Sequence, residues 1–256
     1  MDSVSDALLA NRGPARRTRG TGRASFNLTV EGIGPDSLRA EHGFSALIEV
    51  EVDGTHRRVL FDTGVSEHGA VENMRRLEAD AKEIETIVLS HGHYDHTLGL
   101  HGLAAELGRR NLPLVLHPEA WNRRRVQVDG RDPLELPTLS RSALEGAGFE
   151  VIEEVQPSFL LEGRLLITGE VDRTTNFERG MPRQEVLHDG AWAPDPLIRD
   201  DQAVVLHVRD RGLVILTGCG HAGIVNIVRH ARRLTGVEDV YAVMGASTSP
   251  TTRTPM

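Results

Sequence analysis

The chain has 256 residues, a formal net charge of −8 and 39% hydrophobic residues. This length can bury a full core in one large domain or two small ones, and the acidic balance argues against general affinity for nucleic acid. No apolar run has the length of a transmembrane helix or of a signal-peptide core. The single cysteine, Cys219, excludes an internal disulfide framework and favours a reducing compartment. We therefore expect a cytoplasmic protein that binds neither membrane nor nucleic acid.

Composition divides the chain into three segments. Residues 1–25 are rich in Arg, Gly and Ser without a hydrophobic period, which predicts a disordered tail. Residues 26–245 carry the hydrophobic patterning of a folded domain, and residues 246–256 predict an irregular tail. The pattern contains no internal repeat of fixed period.

The first half of the domain alternates strand and helix patterns. Asp53 and Gly54 separate two strand-like runs and form a strong hairpin signal. The predicted elements, in chain order, are strands at 44–52 and 57–61, a helix at 67–77, a strand at 84–89, a helix at 98–107 and a strand at 114–117.

The second half is irregular at first and then becomes regular again. Residues 174–196 have no clear period and predict a long loop, which in a compact domain is more often functional than idle; we interpret it as a lid or substrate loop. The predicted elements are a helix at 139–147, strands at 149–153, 159–161, 164–168, 203–208 and 213–216, a helix at 224–234 and a strand at 240–244. The alternation indicates an α/β fold in which helices cover sheets.

Residues 90–96, S-H-G-H-Y-D-H, place four potential metal ligands within six residues. His91 and His93 are two apart, so on an extended segment both imidazoles point the same way and can converge on one cation. Asp95 and His96 come where the chain must turn into a helix, so they can point to a second position nearby. Burying three imidazoles and a carboxylate without a cation would be costly, and this donor set suits Zn²⁺, Fe or Mn²⁺.

The pattern H-x-H-x-D-H after an apolar strand resembles the signature of the metallo-β-lactamase-fold hydrolases. The resemblance covers about residues 38–245 and implies an αββα four-layer sandwich with two divalent ions, Zn most readily and Mn, Fe or Mg as alternatives. It implies that His91 and His93 hold one ion and that Asp95 and His96 hold the other. A water acidified by both ions would act as nucleophile or base, with Asp95 as the catalytic residue that orients it.

Asp62 leads the segment D-T-G at the end of a predicted strand. The segment can be a simple turn in which Gly64 supplies a positive φ. The resemblance implies a further role, in which Asp62 orients the metal loop through hydrogen bonds and is not itself a ligand.

The stretch T-G-C-G-H-A-G-I-V-N at 217–226 follows a strand and opens a helix. It resembles a subgroup of this superfamily that includes the archaeal dihydropterin–ribofuranosylaminobenzene phosphate synthase, although Gly220 replaces the subgroup's serine. The resemblance implies that His221 binds one of the two metals; without it, His221 is a histidine at a helix amino terminus. Cys219 remains open as a ligand, a nucleophile or a small buried residue.

The other histidines carry weaker signals. His42 lies in E-H-G-F-S at 41–45, which also resembles the subgroup, and can be a surface residue or part of the site. His117 and Glu170 follow predicted strands and could reach the same edge of a sheet. The remaining histidines predict surface or core positions: His56, His68, His101, His188, His207 and His230.

The carboxyl-terminal segment departs from the subgroup, which closes with M-G-G-F-H-L and uses that histidine as a ligand. Here Met244 and Gly245 are followed by A-S-T-S-P. Dropping one G from a GC-rich coding of G-G-F-H-L yields Gly-Ala-Ser-Thr-Ser, which are residues 245–249. We hypothesise a one-base frameshift that truncated the domain and removed its last metal ligand.

These patterns predict a metal-dependent hydrolase or transferase that acts on a small-molecule substrate, in which a phosphate group is one option. The alternative is a protein that binds a metal or small molecule but is non-catalytic or impaired, because its last metal ligand is missing. Metal content per chain, measured together with turnover of a generic ester or phosphodiester, separates the two.

Overall fold

The computed structural model describes residues 23–108 and 111–246. The strands in these ranges are β1 Arg23–Ser25, β2 Ile33–Pro35, β3 Ala46–Val52, β4 Thr55–Phe61, β5 Ile84–Val88, β6 Leu112–Leu116, β7 Arg124–Val126, β8 Leu134–Glu135, β9 Phe149–Glu153, β10 Ser158–Leu160, β11 Leu165–Ile167, β12 Gln184–His188, β13 Ala191–Pro194, β14 Ala203–Val208, β15 Gly212–Thr217 and β16 Val240–Gly245. The helices are α1 Gly69–Arg76, α2 Tyr94–Thr97, α3 Leu100–Leu107, α4 Arg141–Ala147 and α5 Ile224–Thr235.

The first large sheet has the strand order β3-β4-β5-β6-β9. Its antiparallel hairpin, β3 and β4, turns at Asp53 and Gly54, which both have positive φ as the sequence pattern predicts. From β4 onward the neighbouring strands are parallel. Since parallel strands end at the same edge, the loops that follow β4, β5 and β6 lie together.

The second large sheet has the order β10-β11-β14-β15-β16. It is antiparallel except for β15 and β16, which run parallel and are joined through α5.

The two sheets pack face to face, with helices on both outer faces. In β4, Val59 and Phe61 point into the core between the sheets, where they meet Leu165 and Val204 of the second sheet, whereas Leu60 points outward under α1 and α3. This alternation follows from the two-residue period of a strand. On the other side, α5 buries its apolar face against β14 and β15. The αββα sandwich predicted from the sequence is confirmed.

The predicted loop at 174–196 is wrong in its second half. Strands β12 and β13 form a hairpin there, and β12 pairs with β7, which pairs with β8, in a separate four-stranded sheet. The hairpin turns at Asp189 and Gly190, both with positive φ, so an Asp-Gly signal was present in the sequence. The strands are short and mostly half-exposed, which leaves little hydrophobic pattern to recognise.

The predicted tails lie mostly outside the described residues. Of residues 1–25, Arg23–Ser25 form β1, paired with β2, which corrects the expectation of disorder at this point. Of residues 246–256 only Ala246 is described, so the hypothesised frameshift lies outside the structure. In the described ranges, every helix is too short or too polar to cross a membrane.

Candidate metal centre

Both large sheets deliver side chains to one site. Residues 91–96 follow β5, and Asp62 follows β4 at the same edge of the first sheet. Cys219 and His221 follow β15 of the second sheet. His93 has an extended backbone and directly precedes α2, so Asp95 and His96 lie on the helix that follows it. The chain bends at Gly92, between the first two histidines, rather than running extended through both.

Three buried imidazoles form what we call the imidazole cluster, consisting of His91, His93 and His221. The Nε2 atom of His91 lies 3.0 Å from Nδ1 of His93, and Nε2 of His221 lies 3.2 Å from the same Nδ1. Burial lowers the pKa of His93 to about 4 and the pKa values of His91 and His221 well below the ordinary range. Neutral rings therefore aim nitrogens at one point, where a cation can bind them.

The hydrogen bonds behind His91 fix which of its nitrogens faces the cluster. The hydroxyl of Ser90 donates to Oδ2 of Asp62 at 2.7 Å, so its single proton is used. Its oxygen must then accept from Nδ1 of His91, which is 2.9 Å away. Nε2 of His91 is consequently unprotonated and presents a lone pair to the cluster.

The second group, which we call the acidic cluster, consists of Asp95, His96 and Cys219. Nε2 of His96 lies 3.1 Å from Sγ of Cys219 and 3.5 Å from Oδ2 of Asp95. Asp62 lies behind His96, with its Oδ2 2.7 Å from Nδ1 of that ring. His42 approaches from the exposed side, with its Nε2 3.4 Å from Oδ2 of Asp95.

The electrostatics of the acidic cluster favour positive charge. Burial disfavours a charged His96, yet the carboxylate of Asp62 and the hydrogen bonds to it and to Asp95 raise the pKa of His96 well above the ordinary value. Burial also works against a charged Asp95, but the hydrogen bond and charge of His96 lower the pKa of Asp95 to about 2. Burial raises the pKa of the Cys219 thiol.

Two sets of potential ligand atoms each lie within 4.8 Å of one another: His91, Cys219 and His221 in the first, and Asp95, His96 and Cys219 in the second. Cys219 belongs to both, so the two clusters lie side by side with its sulfur between them. Imidazole nitrogens, a carboxylate and a sulfur at these distances fit divalent ions with borderline-soft preferences.

A buried ion pair holds the backbone between the first two histidines. Asp200 accepts a hydrogen bond from the amide of Gly92 at 2.8 Å and pairs with both terminal nitrogens of Arg124 at 3.1 and 2.7 Å. A Cβ atom on Gly92 would lie 2.4 Å from the carbonyl oxygen of Ala120, so only glycine fits between these histidines. Asp200 was not predicted from the sequence, although the acidic pair of Asp200 and Asp201, one residue before a predicted strand, was a signal.

Gln184 and Asp201 were also missed. The side-chain amide of Gln184 lies 3.0 Å from Nε2 of His93. Oδ2 of Asp201 accepts a hydrogen bond from the amide of Ala222, next to His221, at 2.7 Å. Burial raises the pKa of Asp201 to about 7. Nothing in the local sequence around Gln184 distinguishes it.

The weaker candidates divide between the site and its surroundings. His42 contacts Asp95, as described. His117 is buried at the end of β6, where its Nδ1 accepts from the amide of Glu119 at 3.1 Å. Glu170 lies near Arg199, 3.6 Å apart, at the surface. The surface or core prediction for the other histidines is confirmed: His230 is buried in α5, and the exposed ones are His56, His68, His101, His188 and His207.

Comparisons with known proteins agree with this architecture. The family model of the metallo-beta-lactamase superfamily matches residues 38–233. The chain is 32% identical over 216 residues to the 7,8-dihydropterin-6-methyl-4-(beta-D-ribofuranosyl)-aminobenzene-5'-phosphate synthase of Methanocaldococcus jannaschii, covering 80% of this chain and 70% of that protein. It is 31% identical over 220 residues to an uncharacterized protein of the same organism, covering 84% and 77%.

Among solved structures, the chain is similar to one described as a metal-dependent hydrolase of the beta-lactamase superfamily. The TM-score is 0.61 at 25% identity, and the match covers 82% of this chain and 71% of that one.

Proposed function

Because the chain belongs to the metallo-beta-lactamase superfamily, we propose that it is an enzyme, a metal-dependent hydrolase or transferase acting on a small molecule. The observation that carries this proposal is the convergence of three neutral, buried ring nitrogens beside a cluster that favours positive charge. Few arrangements of protein atoms other than a metal site stabilise such a group.

We assign the imidazole cluster of His91, His93 and His221 to one divalent ion. The acidic cluster of Asp95, His96 and Cys219 takes a second ion, with the sulfur positioned to serve either. Imidazole and thiolate donors favour Zn²⁺ or Fe over Mg²⁺, and Mn²⁺ remains compatible with the nitrogen and oxygen donors. Asp62 is not a ligand in this assignment, because both of its oxygens are engaged by Ser90 and His96.

When bound, two such ions supply Lewis-acid activation of a water molecule and of a phosphoryl or acyl group. The chain supplies the rest. Asp95 is ionised at neutral pH because its pKa is about 2, so it accepts a proton in a hydrogen bond and orients the attacking water. Asp62 holds the ring of His96 in one orientation. His42 is more than half exposed beside Asp95, so substrate enters from this side.

The substrate class we propose is a small molecule that carries a phosphate or diphosphate ester. The support is the similarity to a synthase whose name specifies a 5'-phosphate. The net charge of −8 speaks against a nucleic acid substrate, and the single cysteine supports a cytoplasmic location.

Elemental analysis of protein purified without chelators, combined with turnover of a generic phosphodiester and a generic ester, tests the proposal. We expect two divalent ions per chain, and turnover that is lost on chelation and restored by adding metal. At most one ion per chain with no turnover of either substrate would contradict it and support a non-catalytic metal-binding protein.

A further inference from the structure

Gln184 is fully buried, yet it belongs to the small sheet rather than to either large one. It begins β12, and its backbone is held on both sides: its amide donates to the carbonyl of Met181 at 3.0 Å, and its carbonyl accepts from the amide of Asp195 at 2.8 Å. Its side-chain Nε2 lies 3.0 Å from Nε2 of His93, while its Oε1 is buried without a hydrogen-bond partner among the described residues.

The chemistry of His93 decides which way this amide must face. Nδ1 of His93 points into the imidazole cluster, towards Nε2 of His91 and Nε2 of His221. For Nδ1 to offer a lone pair there, the proton of the neutral ring must lie on Nε2, which then has to donate a hydrogen bond. Of the two polar atoms of the Gln184 side chain, only the oxygen can accept this hydrogen bond. A carboxamide is nearly symmetric in shape, so a half-turn about its last bond places Oε1 at this position with the same packing.

We propose that Gln184 is a positioning residue for His93: its Oε1 accepts a hydrogen bond from the Nε2–H group and thereby holds Nδ1 as a lone-pair donor towards the metal. This proposal rests on the proposed function, because it presupposes that the imidazole cluster binds a cation. Hydrogen bonding of the outer nitrogen is the usual way in which a protein fixes the tautomer and orientation of a ligating imidazole.

The small sheet then supports the metal loop at two adjacent residues. Strand β7, which pairs with β12, carries Arg124, and Arg124 holds Asp200 against the amide of Gly92. Gln184 holds the ring of the next residue, His93. The sheet that has no counterpart in the sequence prediction therefore determines both the path of the loop and the tautomer of one ligand.

Two variants separate an accepting group from a merely space-filling one. Gln184→Met keeps the length of the side chain and loses the acceptor, whereas Gln184→Glu can only accept. The matched control is Gln127→Met, because Gln127 directly follows β7 of the same sheet and its side chain donates to Glu185. Zn²⁺ affinity is measured by competition with a chromophoric chelator for the wild type and all three variants.

We expect Gln184→Met to weaken Zn²⁺ binding by about 10- to 100-fold, the range typical of lost hydrogen bonds behind metal ligands. Gln184→Glu should retain wild-type affinity or exceed it, and Gln127→Met should leave it unchanged. Nitrogen-15 NMR of the metal-free protein should show His93 with its proton on Nε2 in the wild type and in Gln184→Glu, and a mixture of tautomers in Gln184→Met. A role in packing alone would lower the melting temperature without moving this signature.

The outcomes distinguish the two proposals. A wild-type protein that binds no divalent ion would overturn the proposed function. A wild type that binds metal, with Gln184→Met equal to it in affinity and tautomer, would overturn the role of Gln184 alone. A loss in Gln184→Glu as large as that in Gln184→Met would show that the amide donates, which also contradicts the proposal. Gln184→Glu provides this test even if Gln184→Met fails to fold.

Discussion

The imidazole cluster and the acidic cluster lie on either side of the thiol of Cys219 and are buried to nearly the same extent. The charges of their histidine rings nevertheless differ. Burial dominates in the first and keeps His91 and His93 neutral. In the second, Asp62 outweighs burial and raises the pKa of His96. The difference lies in the direct hydrogen bond between Asp62 and the ring of His96, whereas the charges of Asp200 and Asp95 do not outweigh the burial of His93. A cation therefore meets lone pairs alone in the first cluster, whereas in the second it replaces the proton of His96 at a position where the carboxylates of Asp62 and Asp95 stabilise positive charge.

The largest expected effect concerns the imidazole cluster. The double variant His91→Ala, His93→Ala removes two of the three imidazoles, so we expect the loss of one divalent ion per chain while the acidic cluster keeps the other. Elemental analysis after gel filtration measures the stoichiometry. His101→Ala, at an exposed position, is the control and should match the wild type. Full metal content in the double variant would show that these histidines are not ligands.

The next largest effect concerns the acidic cluster. Asp62→Asn removes the negative charge of a carboxylate that accepts three hydrogen bonds, from the amide of Ser90, the hydroxyl of Ser90 and the ring of His96. We expect a loss of about 2–3 kcal/mol in the free energy of unfolding, as for a buried, charged hydrogen-bond network. We also expect a larger loss of affinity at the acidic cluster, whose His96 contacts Asp62 directly, than at the imidazole cluster, which Asp62 reaches only through Ser90. Urea unfolding and metal titration measure both, with Asp53→Asn in an exposed turn as the control. Equal weakening of both ions would mean that the clusters are not electrostatically distinct.

The smallest expected effect concerns Asp201, whose carboxyl group lies beside His221 of the imidazole cluster. Burial raises the pKa of Asp201 to about 7 from an ordinary value near 4. The unfolded chain therefore loses this proton at a lower pH than the folded protein does. The free energy of unfolding is consequently reduced as the pH rises, starting near pH 4, and the reduction is complete above about pH 7.

Asp201→Asn removes this titration, so its stability relative to the wild type should be higher at pH 8 than at pH 5. Urea unfolding of chelator-treated protein at the two pH values measures the difference, and exposed Asp189→Asn is the control. A relative stability that is the same at both pH values would show that Asp201 is ionised in the fold throughout.

The sequence predicts the elements whose patterns are local. The Asp53–Gly54 hairpin is confirmed, strand β9 has the predicted bounds, and both sheet edges carry the predicted motif residues. The small sheet is not predictable in this way, because β7 and β12 are short and are separated by nearly sixty residues. The contacts of Gln184 with His93 and of Asp200 with Gly92 likewise join residues 91 and 108 positions apart. The ligand roles of the motif residues stay predictions that the geometry supports.

The close approach at Gly92 restricts how this protein can vary. A side chain at that position would collide with the carbonyl of Ala120, which belongs to the turn after β6. A larger residue at position 92 therefore requires a shift of the facing turn, or of the loop itself. Descendants of this sequence that change position 92 are thus expected to carry a second change in the turn that faces it. An engineer who substitutes position 92 to alter metal selectivity must redesign that turn as well.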